Sequence, residues 1–132
     1  ELLSATRASR VTLRRDLPGE TAFPVVEEAL APGVATVRGE RSIHLPTLPV
    51  VQEVQRGRQV VQDDSARAYD EPDFQRMLAT YGGLAAQIVT PVVVGDRLEA
   101  ILSVHQLGEP RRWTEEEVTA AAEAARRVAA LL

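Results

Sequence analysis

The 132 residues fit a single domain, 1–132, long enough to bury a core of its own without covalent staples. The absence of cysteine excludes disulfides, thiol nucleophiles, Cys-ligated zinc and any thioether-linked cofactor. The net charge of −4 is spread along the chain, which does not favour nucleic acid, and no apolar run nears the roughly 18 residues that cross a membrane, so the expected location is cytoplasmic.

Glu1 to Thr6 reads as the end of a helix whose start is expected upstream, because the chain does not open on methionine. Ser9 to Asp16 alternates, Val11 and Leu13 against Thr12 and Arg14, which is strand periodicity. Leu17-Pro18-Gly19-Glu20 is a turn, and Ala22 to Leu30 pairs back as a second strand, although its Glu27-Glu28-Ala29-Leu30 end suits a helix as well. Ala31 to Pro46, with Pro32, Gly33, Gly39 and Pro46, is mostly loop. Thr47 is placed to cap a short helix carrying Leu48, Val51 and Val54 and stopping at Gly57. Gln59 to Gln62 is a short strand and Asp63 to Asp70 a polar loop. A helix from Glu71 to Tyr81 follows, with Asp70 as cap, Pro72 in its first turn, Gly82 as stop, and Phe74, Met77, Leu78 and Tyr81 on one face.

Leu84 to Leu107 reads as a β-hairpin turning at Val94-Gly95-Asp96-Arg97. Alternation in its second arm sends Leu98, Ala100, Leu102 and Val104 to one side and Glu99, Ile101, Ser103 and His105 to the other. The first set needs an apolar cover, and the final helix supplies it. Thr114 and Glu117 form a capping box at its start, and Val118, Ala121, Ala122, Ala125, Val128, Ala129 and Leu132 form its apolar stripe. The second set suits a wall facing solvent, a polar network or a ligand. These elements make an α/β (α+β) domain, a mixed antiparallel sheet with helices on both faces.

The run from Gln87 through Pro91, Gly95 and Ile101, then Gly108-Glu109-Pro110, Trp113-Thr114 and a long terminal helix, resembles the end of a GAF domain. Val60-Val61-Gln62-Asp63-Asp64 fits the same family. The resemblance implies a GAF-like central antiparallel sheet of about five to six strands. Val104-His105-Gln106 and Pro110-Arg111-Arg112-Trp113 are most similar to the bilin-binding branch, the phytochromes and cyanobacteriochromes, which implies that His105 sits in a ligand pocket. That branch attaches its chromophore through a cysteine in the helix that here reads Pro72-Asp73-Phe74-Gln75, so covalent bilin attachment is excluded and the cofactor is left unassigned. The Asn-Lys-x-Phe-x-Asp-Glu signature of the cyclic-nucleotide branch is absent, and the free methionine sulfoxide reductases of this fold need cysteines. The arginine-only basic set suits a GC-rich bacterial source.

The candidate ligand-binding residues are His105, Ser103 and Ile101 on the hairpin, Phe74, Met77 and Tyr81 on the facing helix, and Asp63. Each has a plainer alternative: a structural histidine, an ordinary apolar helix face, a solvated loop. His44 reads as solvated. Asp63, Asp64, Asp70, Glu71 and Asp73 are oxygen-rich but match no EF-hand, and no metal is expected. No Gly-x-Ser-x-Gly, His-Glu-x-x-His, P-loop or Rossmann pattern is present, and nothing favours catalysis by an Asp63–Glu99 carboxylate pair. The expectation is a non-catalytic sensory domain that binds an unknown small molecule between the sheet and helix 71–81 and forms a homodimer through its terminal helices. The alternatives are an interaction module with no small ligand, dimerising through the Ala-rich helix and Leu2-Leu3, and a weak enzyme of unknown chemistry.

Overall fold

The computed structural model describes residues 1–18, 23–40 and 48–132; Gly19, Glu20, Ala22, His44 and Thr47, to which the sequence assigned turn, strand, loop and cap roles, lie outside them. The described elements are α1 (Leu2–Thr6), β1 (Arg10–Arg15), β2 (Val25–Leu30), α2 (Pro49–Gln55), β3 (Val60–Gln62), a 3-10 turn (Ser65–Arg67), α3 (Pro72–Thr80), β4 (Leu84–Val94), β5 (Arg97–Leu107) and α4 (Glu115–Leu131). The strands form one antiparallel five-stranded sheet in the order β2-β1-β5-β4-β3. The acidic end of β2, ambiguous in the sequence, is strand: Glu27 and Glu28 pair with Leu13 and Thr12.

The β4–β5 hairpin is the axis of the fold. Gly95 takes a positive φ of 67° at the first turn position, where a side chain would be strained and the right-handed twist of the two arms favours it. One face of the sheet carries Val11, Ala86, Ile88, Val92, Ala100, Leu102 and Val104 and packs against α4 through Ala121 and Ala125. Ala86, Ala100 and Ala121 are all 0% exposed: small residues on both surfaces let helix and sheet approach closely. Leu2 and Leu3 of α1 pack on the same cluster from within the chain. The other face is covered by α2 and α3, whose Val50, Val51, Val54, Phe74, Met77 and Leu78 meet Leu84, Val89 and Ile101.

α4 starts as its sequence requires. Glu117 N–H donates to Thr114 Oγ1 at 3.1 Å, and Thr114 N–H donates to Glu117 Oε1 at 2.9 Å. Leu132, assigned to the helix stripe, is 40% exposed beyond the last helical turn. Asp70 does not cap α3. The N-cap is Glu71, without a side-chain bond, and Pro72 opens the helix with its fixed φ and no N–H to satisfy.

Leu98 departs from the alternation. Val92 pairs with Ala100 and Val93 with Leu98, so Glu99 is an extra residue in β5. Such a bulge reverses the side of every residue beyond it, and Leu98 packs with the α2–α3 cluster instead of α4.

Candidate functional site

Directly opposed residues of neighbouring strands share a face. Following the register across four strands, Arg10 of β1 faces His105 of β5, His105 faces Gln87 of β4, and Gln87 faces Gln62 of β3. All four lie under α2 and α3 at 1–7% exposure, making a polar row across a buried sheet. Thr12–Ser103–Val89 forms the next row, and Arg14 opposes Ile101 in the one after.

The polar row is largely satisfied by itself. Arg10 donates Nε–H to His105 Nδ1 at 3.0 Å, one Nη to the Tyr81 carbonyl at 2.8 Å and the other to the Ala35 carbonyl at 3.5 Å. Gln87 donates Nε2–H to Gln62 Oε1 at 2.9 Å. A histidine that accepts at Nδ1 carries its proton on Nε2 when neutral. Burial, then the charges of Arg10 and Arg14, push the His105 pKa well below the ordinary histidine value, so the ring is neutral at physiological pH. The partner of its Nδ1 is the Arg10 guanidinium.

Tyr81, the C-cap residue of α3, closes the site from the side. Its ring lies 5.4 Å from the His105 ring and beneath the Arg10 and Arg14 guanidiniums, at 5.4 and 5.5 Å from its centroid. Its hydroxyl is buried with no hydrogen-bond partner among the described residues. Arg14 donates through Nη1 alone, to the carbonyls of Phe23 and Glu40 at 2.6 and 3.0 Å. Desolvation lowers its pKa to about 10, partly opposed by Glu40, and leaves it a cation at neutral pH.

These groups surround a cavity of about 50 Å³. Arg14, Gln87, Val89, Ile101, Ser103 and His105 of the sheet form one wall. Val50, Val51 and Val54 of α2, with Met77 and Tyr81, form the other. Of the residues selected from the sequence, the structure brings His105, Ser103, Ile101, Met77 and Tyr81 together here. Phe74 is not among the lining residues: it is 0% exposed and meets Tyr69 edge-on at 5.0 Å. Asp63 is also elsewhere, exposed at the end of β3, where its carboxylate accepts from the Trp113 N–H at 3.1 Å. Among the described residues, no group of three or more His, Asp or Glu is placed to hold a metal ion, and no helix is long and apolar enough to cross a membrane.

Sequence reasoning missed Arg10, Arg14, Gln87 and the α2 valines. The available signal was Arg10-x-Thr12-x-Arg14 on a strand whose other face is apolar. The alternation marks a strand without saying what covers either face, and α2 and α3 make this one interior.

Trp113 ties this wall to α4. Its indole Nε1–H donates to the Gln62 carbonyl at 3.0 Å, and Arg111 stacks on its ring at 4.2 Å while ion-pairing with Glu117.

The GAF domain family model matches residues 1–132. Over 67 residues, 51% of the chain, the sequence is 28% identical to the circadian input-output histidine kinase CikA of Thermosynechococcus vestitus, a match that takes in 9% of that kinase. Among solved structures, the chain is similar to the cyanobacteriochrome receptor PixJ, with a TM-score of 0.85 and 25% identity over 98% of this chain and 86% of that one. The TePixJ GAF domain gives 0.82 and 25% over 98% and 81%. The chromophore-binding domain of the R. palustris bacteriophytochrome RpBphP3 shares the fold, with a TM-score of 0.80 at 13% identity over 98% of this chain and 50% of that one.

Proposed function

The chain belongs to the GAF domain family, and on that premise we propose that it is a non-catalytic sensory domain holding a small molecule, non-covalently, between the sheet and the α2–α3 layer. The observation that carries this reading is the Tyr81 hydroxyl, buried without a partner among the described residues at the edge of a cavity. An unpartnered buried hydroxyl costs about 1–3 kcal/mol, which a bound polar group would offset. The lining supports it too: mostly apolar side chains with a few convergent polar groups is the usual composition of a ligand site.

The ligand differs in kind from a linked chromophore. The chain has no thiol for a thioether. A cavity of about 50 Å³ is far below the roughly 300–1,000 Å³ of sites for drug-sized molecules, and a tetrapyrrole is larger still. Occupancy would be felt at α4 through Gln87, Gln62 and Trp113, which join the cavity wall to the residue before the α4 cap.

A ligand-observed NMR screen of small fragments against the wild-type domain tests the site, with Val51→Trp as a blocked control whose folding is checked by circular dichroism. Binders lost in the folded Val51→Trp variant support the reading. A screen without binders, or with binders indifferent to that substitution, overturns it.

A further inference from the structure

We infer that the ligand is a small aliphatic monocarboxylate, its carboxylate held by Arg14 and the Tyr81 hydroxyl and its hydrocarbon body among Val50, Val51, Val54 and Met77. The inference rests on the pocket reading above and adds the chemical class of the occupant.

Charge is the first argument. Arg10 and Arg14 are both buried cations, 1% and 7% exposed. Among the described residues, neither has a carboxylate within hydrogen-bond reach: their acceptors are His105 Nδ1 and backbone carbonyls. Glu28 and Glu40 act on them only as more distant charges. A buried cation whose counter-charges are only distant is costly, and an anion entering the site would supply a near one.

Donor geometry distinguishes the two arginines. Arg10 uses Nε and both Nη atoms within the fold. Arg14 uses Nη1 alone, so its Nε–H and Nη2–H groups have no acceptor among the described residues, and it lines the cavity. Adjacent N–H groups on one guanidinium match the two oxygens of a carboxylate. Other donors line the cavity as well, the Tyr81 and Ser103 hydroxyls, which can also accept, and the Nε2–H of neutral His105, beside Gln87, whose side-chain oxygen is an acceptor. A carboxylate only accepts, and it fits such a set. A cationic ligand would meet two positive charges.

Size and the opposite wall set the rest. A cavity of about 50 Å³ limits the occupant to a small molecule. The valines of α2 and Met77 offer no partner for a second charged group, which disfavours dicarboxylates and sugars.

The test uses wild-type domain and three probes of one shape: isovalerate, isovaleramide and isoamyl alcohol, titrated at neutral pH while the methyl NMR signals of Ile101 and Met77 are followed. Isovalerate is expected to bind at least about tenfold tighter than the amide and the alcohol. Arg14→Met should remove that preference, and Tyr81→Phe, which keeps the ring, should weaken isovalerate several-fold without moving the amide. Equal or tighter binding of a neutral probe at these methyls overturns the carboxylate while leaving the pocket reading intact. So does failure of all three probes alongside neutral hits in the fragment screen. Failure of the probes and of the screen together removes both. The comparison within the wild-type protein decides the question even where Arg14→Met does not fold.

Discussion

On one side of the sheet, Ala86, Ile88, Ala100 and Val104 are 0% exposed among apolar side chains of α1 and α4. On the other, Arg10, His105, Gln87 and Gln62 are at most 7% exposed beneath α2 and α3. Both sides are interior and each carries an apolar cluster, yet only the second also buries a row of charged and amide side chains. Apolar burial contributes roughly 25 cal/mol per Å², whereas a buried polar group contributes little net even when satisfied and costs free energy when it is not. The polar side also encloses the cavity, and no described carboxylate lies within hydrogen-bond reach of its two arginines. Two equally covered faces of one hairpin therefore differ in composition: one is mainly apolar, and the other combines an apolar cluster with a buried polar row and a cavity, the arrangement on which the proposed ligand site rests.

The largest expected effect compares the same substitution on the two sides. Ile88→Ala, in the fully packed face, should cost about 3–5 kcal/mol in urea denaturation. Ile101→Ala, whose side chain borders space that is already empty, should cost about 1 kcal/mol or more less than that, because fewer contacts are lost. Equal losses would erase the proposed distinction. Next comes the glutamine pair. Gln87→Leu strands the Gln62 side chain, whose Nε2 already has no partner among the described residues, and should cost about 1–3 kcal/mol. The double variant Gln62→Leu with Gln87→Leu should recover most of that loss, and simple addition of the two single effects would show that the pair is not a unit.

The apolar side was the legible one, because its signals are local. Alternation in β5, the Gly95 turn and the Thr114–Glu117 capping box each lie within a few residues of sequence. The same alternation put Ile101, Ser103 and His105 on one face. Leu98 was misplaced because the Glu99 bulge is defined only by pairing with Val93 on the opposite arm. Arg10 could not be assigned to the site for a related reason. It meets His105 across 95 positions of sequence, and nothing near Arg10 says that β1 lies between β2 and β5. Periodicity told the two faces of β1 apart, but whether a face meets water depends on which helices cover it.

A smaller effect is expected from acid. The folded His105 resists protonation well below the ordinary histidine value, chiefly through burial and then through Arg10 and Arg14, whereas the unfolded chain takes up that proton near pH 6.5. Below that pH the unfolded state binds more protons, so stability falls as pH drops from about 6.5 toward the folded pKa, by at most about 1.4 kcal/mol per pH unit. His105→Gln should flatten this part of the profile. A wild-type curve with the same slope as the variant's would mean that His105 is not held neutral.

The smallest change in stability is expected from Tyr81→Phe, and it divides the two faces most cleanly. Deleting a satisfied buried hydroxyl usually destabilises a protein, but the Tyr81 hydroxyl has no partner among the described residues and deleting it relieves a desolvation cost. The ring, which carries the contacts to His105, Arg10 and Arg14, is retained. Stability should therefore stay within about 0.5 kcal/mol of wild type or rise, while affinity for a carboxylate probe falls. A residue kept for packing would behave in the opposite way, losing stability and leaving affinity untouched. Paired urea denaturation and isovalerate titration of this one variant separate the two, because a group whose removal helps the fold and harms binding belongs to the site.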